Sequence, residues 1–437
     1  LKPNQMTFQA TLDFARQMDA QDSLRSFRNQ YLFPQHQGNK CLYFCGNSLG
    51  LQPKKAAEFI KEELQHWQEL GVEGHFEGEL PWTQYHKALA PASAHIVGAQ
   101  EDEVIIMNTL TVNLHLMMVS FYRPNAERFK IIMEAGAFPS DQYAVETQVR
   151  WHGYDPAEAI VEVAPRSGEA LLHTEDILAA IEQHGAQTAL VLFAGVNYYT
   201  GQVYDMPAIT AAGHRVGAYV GFDLAHAAGN VPLHLHDWGV DFAVWCTYKY
   251  INSGPGAPSG AFVHAKHGNK PQIPRFAGWW GHNEERRFLM EKGFDPIPGA
   301  AGWQLSNAPI LAYAPMRASH DLFLEAGMPA LRAKSEKLTA YLEFLIDSLN
   351  IDERRFDIIT PRDPAQRGAQ LSFLTGPAGK QLFDYLTQNG VICDWREHNL
   401  PGEKGEKAGV IRIAPTPMYN SFEDVWRFAD LLAKANV

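Results

Sequence analysis

The stretch that decides the fold is Val240-Asp-Phe-Ala-Val-Trp-Cys-Thr247, followed by Tyr248-Lys249-Tyr250 and by Asn252-Ser-Gly-Pro-Gly-Ala-Pro-Ser-Gly260. Its first eight residues are typical of a buried strand, and the glycines and prolines after them indicate a constrained loop. A lysine at such a junction is partly removed from water, which favours the neutral, nucleophilic amine over the ammonium. Lys249 is therefore a candidate for covalent chemistry, although a lysine that merely ends a strand in water is the simpler interpretation.

An aspartate upstream favours the chemical interpretation. Val216-Gly-Ala-Tyr-Val-Gly-Phe-Asp223 predicts a buried strand that ends at the aspartate, and His226 follows three residues later. Asp223 precedes Lys249 by 249 minus 223, or 26, residues. Pyridoxal phosphate needs such a pair, because a carboxylate keeps its pyridine nitrogen protonated while a lysine holds its aldehyde carbon. The two residues predict a pyridoxal-phosphate site.

Strand and helix patterns alternate through the middle of the chain. Strands are predicted at 159–163 and 189–193, with a helix from about Thr174 between them, and a helix over 206–214 precedes the Asp223 strand. This alternation predicts an α/β fold with a mainly parallel sheet and crossover connections. Ligands of such sheets collect beyond the carboxyl ends of the strands, which is where Asp223 and Lys249 would project.

Two predicted helix starts carry polar residues that have two interpretations. Asn108-Thr-Leu-Thr111 opens a helix, and its threonines can cap that helix or line up with free backbone N–H groups that bind a phosphate. In Ala137-Phe-Pro-Ser-Asp141, Pro139 suits the first turn of a helix that the serine and aspartate can cap. With a cofactor lysine elsewhere, the phosphate interpretation is favoured at 108–111.

Several longer motifs resemble one family, the kynureninases, which are fold-type I pyridoxal-phosphate hydrolases. The resemblance covers most of the chain. The segments that carry it are Gly46-Asn-Ser-Leu-Gly-Leu-Gln-Pro53, Val220-Gly-Phe-Asp-Leu-Ala-His-Ala-Ala-Gly-Asn230, Leu235-His-Asp-Trp-Gly-Val-Asp-Phe-Ala243, Tyr248-Lys-Tyr250, Arg412-Ile-Ala-Pro415 and Tyr419-Asn-Ser-Phe422.

The resemblance implies a fold-type I architecture. We expect a helical arm over 1–45, a large cofactor-binding domain over 46–315 built on a mainly parallel seven-stranded sheet, and a small α+β domain over 316–437. It also implies a homodimer whose active sites are shared between the two chains. The implied reaction is hydrolysis of L-kynurenine or 3-hydroxy-L-kynurenine to an anthranilate and L-alanine, a step of tryptophan catabolism and NAD biosynthesis.

The family's site residues carry over to matching positions. The implied catalytic residues are Lys249, Asp223 and Tyr248. The implied cofactor contacts are Leu110, Thr111, Phe138, Pro139, Ser140, Asp141, Asp223, His226, Tyr248, Lys249, Trp279 and Asn307. The implied substrate contacts are Ser48, His75, His282, Asn307 and Arg412, with Asn47 as a weaker candidate. At Ala194 some relatives carry a serine that contacts the phosphate, so that hydrogen bond is expected to be absent here.

The resemblance also assigns individual roles. Trp279 would donate its indole N–H to the phosphate from the partner chain, and Arg412 would grip the substrate α-carboxylate. His282, His75 or Asn307 would stabilise an oxyanion at the substrate ketone. Without the resemblance, His75 would be a solvated loop histidine, Arg412 a strand-end surface arginine and Trp279 a packing residue.

Composition limits the partners. The 437 residues are 46% apolar and 20% charged, and the net charge of −12 with no basic run argues against nucleic acid. Four cysteines without a CxxC pair favour a reducing compartment, the cytoplasm. No apolar run has membrane-spanning length, and Leu1-Lys-Pro-Asn-Gln-Met lacks a signal-peptide core, so no membrane partner is expected.

Four other interpretations are weighed. A Rossmann dinucleotide-binding site at the glycine-rich loop 253–260 is disfavoured, because its glycines lack the required spacing and its two prolines have no N–H groups. His234-Leu-His236 could place two imidazoles on one strand face, but no zinc-like ligand set accompanies them. A cysteine desulfurase-like lyase would need a reactive loop thiol, and Cys393 follows an apolar, strand-like pair. A non-catalytic pyridoxal-phosphate-binding module is the remaining alternative.

Overall fold

The computed structural model describes residues 7–349, 356–376, 378–397 and 409–435. Its α-helices are α1 Leu12–Gln21, α2 Ala56–Leu70, α3 Tyr85–Val97, α4 Leu110–Phe121, α5 Pro139–Trp151, α6 Pro156–Ala159, α7 Thr174–His184, α8 Met206–Arg215, α9 Ala265–Gly268, α10 Ile310–Ala326, α11 Met328–Leu349, α12 Gly379–Gln388 and α13 Phe422–Lys434. Its strands are β1 Tyr31–Leu32, β2 Gln35–His36, β3 Asn39–Lys40, β4 Leu42–Tyr43, β5 Gln52–Pro53, β6 Val104–Met107, β7 Lys130–Glu134, β8 Ile160–Val163, β9 Thr188–Ala194, β10 Tyr219–Asp223, β11 Phe242–Trp245, β12 Ser259–Val263, β13 Asp357–Ile358, β14 Leu371–Thr375, β15 Val391–Ile392, β16 Asp394–Glu397 and β17 Gly409–Ile413.

A seven-stranded sheet in the order β6-β12-β11-β10-β9-β7-β8 forms the centre of the large domain. The neighbours from β11 to β8 are parallel, whereas β12 is antiparallel to both β11 and β6. The predicted α/β fold with a mainly parallel seven-stranded sheet is therefore confirmed. The strand β12 is not predicted from the sequence, because prolines and glycines lead directly into it.

Both faces of this sheet are buried. In β11, Ala243 and Trp245 belong to one apolar core, and Phe242 and Val244 belong to a second. Successive side chains of a strand point to opposite faces, so these two cores lie on opposite sides of the sheet. This two-sided burial explains the continuous apolar runs at β6, β9 and β11.

The helix α10 crosses the domain boundary expected at 315/316. It packs against α2 and α3 of the large domain, and its buried Leu322 and Phe323 belong to the core of that domain. The left-handed residue Gly327 then separates α10 from α11, whose second half packs into the small-domain core. We propose Gly327 as the boundary, since a helix interior is a poor place for a domain to end.

The small domain is completed by the N-terminal arm. Its four-stranded antiparallel sheet has the order β13-β14-β17-β16, and α1 packs against α13 beside it. Asp19 accepts hydrogen bonds from the first two amides of α13, at 2.7 Å from Phe422 and 3.0 Å from Glu423. Asp22 pairs with Lys334 at 2.8 Å, and both side chains are only 6% exposed. The two ends of the chain thus share one core.

None of the helices in the described ranges combines the length and the apolar character that a bilayer crossing requires.

Candidate active site

A cavity of about 200 Å³ opens at the carboxyl ends of β9, β10 and β11. The residues that line it are Leu110, Thr111, Phe138, Ser140, Asp141, Ala194, Val196, Tyr198, Asp223, Ala225, His226, Cys246, Tyr248 and Lys249. Asp223 is the last residue of β10, and Lys249 follows the end of β11 by four residues. The sheet therefore brings the two predicted residues together at the edge where ligands of α/β proteins bind.

The amine of Lys249 is half-buried and has a histidine neighbour. Its Nζ donates to Nε2 of His226 at 3.1 Å. Burial, together with the charge of Lys249, holds the pKa of His226 well below its ordinary value. The imidazole is therefore neutral, with its proton on Nδ1, and this buried Nδ1 has no partner among the described residues.

The loop after Lys249 is fixed by hydrogen bonds across its base. Thr247 Oγ1 donates to Pro258 O at 2.6 Å, and the Ser253 amide donates to Thr247 O at 3.0 Å. The Gly50 amide donates to Tyr248 O at 2.8 Å, and a Cβ at Gly50 would come within 2.5 Å of Lys249 O. Glycine is thus required where the N-terminal segment touches the lysine strand, a constraint that sequence reasoning missed.

Three buried carboxyl groups lie together behind the cavity. Asp223 Oδ1 accepts from the Ala225 amide at 2.7 Å, and Asp141 forms a side-chain hydrogen bond with Asp223. Burial, and then the charge of Asp223, raises the pKa of Asp141 well above its ordinary value. Burial also raises the pKa of Asp223, while its amide contact and Lys249 lower it. The charge of Asp223 adds to the raised pKa of Asp141, whereas Asp141 lowers the pKa of Asp223, so a proton shared by the pair is favoured on Asp141.

Glu134, at the end of β7, is the third of these carboxyl groups. Its two oxygens accept from the Ala194 amide at 3.2 and 3.3 Å. Burial raises its pKa to about 7, and the nearby charge of Asp223 adds to this shift. No signal in the sequence marked this residue, because its partner is a backbone amide two strands away in sequence order.

Replacing Glu134 by glutamine should change how stability depends on pH. The pKa of Glu134 is 4.5 when unperturbed and about 7 in the fold, so the wild type loses stability as pH rises through that window. The glutamine variant lacks this loss. The difference in unfolding free energy, variant minus wild type, should therefore increase by up to about 3 kcal/mol between pH 4.5 and pH 8.

Urea unfolding of both proteins at pH 5 and pH 8 measures this effect. The exposed Glu162 on β8 supplies the matched control, and Glu162→Gln is unfolded under the same conditions. A difference between Glu134→Gln and wild type that is the same at both pH values would contradict the shifted pKa.

Aromatic side chains and a helix start form the rest of the cavity wall. The Phe138 ring lies 5.8 Å from Lys249 Nζ and makes an edge contact with Tyr198. Tyr248 lies beside Cys246, and burial raises the pKa of its phenol. Pro139 is the first residue of α5, as expected.

The start of α4 favours the phosphate interpretation over capping. Leu110 and Thr111 form its first turn, and the hydroxyl of the N-cap residue Thr109 makes no capping hydrogen bond. The first amides of the helix are therefore left for another acceptor.

Several predicted residues lie outside this cavity of their own chain. His75 is half-buried, with Nδ1 3.0 Å from Val72 O, whereas Ser48 and Asn307 are exposed. Trp279 donates its indole N–H to Arg287 O at 3.2 Å, and so it does not contact the cavity. His282 is buried and accepts from the Asp295 amide at 3.0 Å.

Two further predicted substrate contacts are already engaged within the chain. Asn47 is 1% exposed and donates to Gln370 Oε1 at 2.9 Å. Arg412 is 2% exposed; its Nη1 donates to Tyr198 O, and its Nη2 pairs with Asp394. The simpler interpretation of Arg412 as a strand-end surface arginine is wrong, because β17 is an inner strand of the small sheet.

An apolar patch lies on the surface near the displaced residues. Phe288 contacts both Phe76 and Trp279, with ring centroids 6.1 and 5.4 Å apart. Leu289 and Met290 continue it and are 61% and 73% exposed. We call these five residues the aromatic patch. An exposed apolar patch of this kind marks an interaction surface.

The histidines weighed as metal ligands have other partners. His234 and His236 do not lie on a strand; His236 instead meets Glu103 at 2.9 Å and stacks on His264. Glu103 also accepts from the Ala265 amide at 2.7 Å, and His264 Nδ1 accepts from the Lys266 amide. Hydrogen bonds within the chain therefore account for this group.

Cys393 does not form a reactive loop thiol. It lies between β15 and β16, is buried, and burial raises the pKa of its thiol. A buried thiol of this kind is inert as a nucleophile.

The cavity suits pyridoxal phosphate by its donor set. It offers an amine at Lys249, a buried carboxylate at Asp223, an aromatic face at Phe138 and the free amides of a helix start at Leu110. The unpaired Nδ1 of His226 lies among these groups and can donate to a polar ligand. The residues present therefore fit this cofactor.

Comparisons with known proteins identify relatives over nearly the full length of the chain. A family model described as the kynureninase C-terminal domain matches residues 331–432. A relative from Flavobacterium johnsoniae, named kynureninase, is 55% identical over 430 residues, covering 98% of this chain and 99% of the relative. A kynureninase from Myxococcus xanthus is 55% identical over 426 residues, covering 97% of each.

Solved structures show the fold at lower identity. The cysteine desulfurase CsdA from Escherichia coli superposes with a TM-score of 0.74 at 15% identity, covering 94% of this chain and 98% of its own. A cysteine desulfurase from Thermococcus onnurineus NA1 gives a TM-score of 0.73 at 16% identity, covering 90% and 94%.

Proposed function

The chain belongs to the kynureninase family, and from that premise we propose that Lys249, Asp223 and Tyr248 carry out its hydrolysis of L-kynurenine or 3-hydroxy-L-kynurenine. The products are an anthranilate and L-alanine, and pyridoxal 5'-phosphate is the cofactor. The observation that supports the proposal is the meeting of Lys249 and the buried Asp223 in one cavity at the carboxyl ends of β10 and β11.

Each cavity residue has a proposed task in holding the cofactor. Lys249 would hold the aldehyde carbon, and Asp223 would hold the proton of the pyridine nitrogen. Phe138 would cover the ring, and the first turn of α4 with Tyr248 would bind the phosphate. Asp141 donates its proton to Asp223 and keeps that carboxylate charged. When bound, the cofactor supplies a protonated ring that withdraws the electrons left by the departing α-proton.

The remaining steps move protons on the substrate. Lys249, which lines the cavity, would move the proton of the substrate α-carbon. Water adds to the side-chain ketone, and the bond between the β and γ carbons breaks. The electrons of that bond remain on the β-carbon, and Tyr248 would donate the proton that completes the methyl group of L-alanine there. Burial raises the pKa of the phenol and so keeps it protonated until then.

Mixing kynurenine with the purified protein tests the activity. Anthranilate is fluorescent, so its release is followed directly, and 3-hydroxykynurenine is assayed in parallel. Turnover of either substrate supports hydrolysis. A protein that binds the cofactor but turns over neither would instead be a non-catalytic binding module.

A second chain is proposed to complete each active site. Trp279, His75, His282, Asn307 and Ser48 lie outside the cavity of their own chain, and the aromatic patch lies beside some of them. In a homodimer these residues would reach the cavity of the partner, where Trp279 meets the phosphate and a histidine or Asn307 stabilises the ketone oxyanion.

Hybrid dimers test this arrangement. When a Lys249→Ala chain and an Asn307→Ala chain are unfolded and refolded together, the mixture should be more active than the two preparations refolded apart, because the hybrid contains one intact site. Two Lys249→Ala preparations treated in the same way are the control. Absence of recovery in mixtures shown to contain hybrids would contradict shared sites.

The pair His75 and Asn307 is predicted to favour the hydroxylated substrate. A pocket built to hydrogen-bond a hydroxyl leaves buried polar groups unpaired when an analogue lacks it, so discrimination by orders of magnitude is available. We expect a higher kcat/KM for 3-hydroxykynurenine. The double variant His75→Phe, Asn307→Thr should narrow or reverse this preference, and equal kcat/KM values in the wild type would contradict it.

The compartment proposed for the protein is the cytoplasm, because all four cysteines are free thiols.

A further inference from the structure

The ion pair between Arg412 and Asp394 places an internal carboxylate where a substrate carboxylate is proposed to bind. The two residues are directly opposite each other on the neighbouring strands β17 and β16. Arg412 is 2% exposed and Asp394 is 16% exposed, so this pair is shielded from water. The arginine is therefore already paired within its own chain.

Arg412 also lies directly behind the wall of the active-site cavity. Its guanidinium carbon is 6.0 Å from the centre of the Tyr198 ring, and its Nη1 donates to Tyr198 O. Its Nε has no partner among the described residues. One donor of the planar fork is thus open, and a second would open if Asp394 moved away.

A second arginine offers Asp394 an alternative partner. Arg396 lies two residues further along β16, on the same face, with Nη2 at 3.4 Å from Asp394 Oδ2. It is 45% exposed and lines a cavity of about 510 Å³. Phe138 and Tyr198 line both this cavity and the one with Lys249, so the two cavities adjoin.

We infer that Asp394 is an internal substitute for the substrate carboxylate. Before substrate binds, Asp394 pairs with Arg412 and blocks it; when substrate arrives, Asp394 shifts its pairing to Arg396, and the substrate carboxylate binds Arg412. The group of two arginines and one aspartate carries one net positive charge, which a single α-carboxylate neutralises. This inference rests on the proposed role of Arg412. Asp394 is a positioning residue in this scheme, because it acts through Arg412.

If Asp394 exchanges Arg412 for Arg396 when substrate binds, substitutions of Asp394 and of Arg396 should change KM in opposite directions. Asp394→Asn removes the competing charge at nearly constant shape, so the KM for kynurenine should fall about tenfold. Arg396→Gln removes the alternative partner, so Asp394 stays at Arg412 and KM should rise. If Asp394 only oriented Arg412, then Asp394→Asn would raise KM instead.

Ligand binding to the holoenzyme separates this effect from catalysis. L-Alanine and L-alaninamide are titrated while the visible absorbance of the bound cofactor is followed, since only L-alanine carries a carboxylate. Asp394→Asn should bind L-alanine about tenfold more tightly and L-alaninamide unchanged. Asp384→Asn, on the exposed face of α12 in the same domain, is the matched control and should alter neither affinity.

The same titration with Arg412→Gln distinguishes the two possible failures. If this variant discriminates between L-alanine and L-alaninamide as the wild type does, Arg412 does not bind the carboxylate and the inference is overturned with that role. If Arg412 matters but Asp394→Asn leaves L-alanine binding unchanged or weaker, only the exchange is overturned. Circular dichroism of each variant confirms that its fold is intact.

Discussion

Replacing Lys249 by alanine is expected to reduce turnover of kynurenine by at least about a thousandfold, because the only amine among the described residues that line the cavity is lost. Borohydride treatment of the wild type should fix the cofactor irreversibly to Lys249, and peptide mapping identifies the modified residue. The alanine variant should purify without any covalent link. Its cavity keeps Asp223 and the helix start of α4, so some reversible cofactor binding should remain.

The exposed Lys61 on α2 provides the control for this experiment. Lys61→Ala should retain both full turnover and the borohydride adduct. An adduct of the wild type that mapped to any other lysine would contradict the assignment of Lys249 as the cofactor-binding lysine.

Replacing Asp223 by asparagine should have the second-largest effect. The change keeps the shape of the side chain and removes the charge that holds the pyridine proton. The activation free energy should therefore rise by several kcal/mol, and turnover should fall about a thousandfold. Folding and cofactor occupancy should survive far better, because the side-chain oxygen of the new asparagine can still accept the hydrogen bond from the Ala225 amide.

Asp141→Asn is the matched comparison, since its amide can replace the proton that Asp141 donates to Asp223. Its loss of turnover should be clearly smaller than that of Asp223→Asn, and cofactor titration alongside the assay shows whether occupancy differs. Near-normal turnover in Asp223→Asn would mean that another carboxylate faces the ring nitrogen, with Asp141 the first to test.

The centre of the site was predictable because it lies on regular elements. Asp223 and Lys249 each follow an apolar strand, and parallel strands deliver the residues at their carboxyl ends to one edge. Glu134, Tyr198 and Cys246 were not predicted. Their roles depend on which strand neighbours which, and β7 inserts between β8 and β9 in an order that no local pattern encodes.

The peripheral residues of the site were harder to predict from the sequence for a different reason. Sequence motifs marked Arg412, but its pairing with Asp394 follows from the register of β16 and β17, which local patterns did not indicate. Likewise Trp279, His75 and Asn307 were marked by resemblance, yet within one chain they lie outside the cavity. Their assignment stays a prediction that depends on a second chain.

The desulfurase alternative illustrates the limit of fold as a guide. The solved structures that superpose on this chain include cysteine desulfurases, yet Cys393 is buried in the small-domain core. A shared fold leaves the chemistry open, and the side chains at the site decide it.

The sharing of one core by the two ends of the chain has a consequence for biosynthesis. Asp19 caps a helix that begins at Phe422, 403 residues later, so a nascent chain on the ribosome cannot make this contact until that helix has been synthesised. Contacts of such sequence separation form late and slowly. We therefore expect the large-domain sheet to assemble earlier in translation, while the small domain closes only after α13 has left the ribosome.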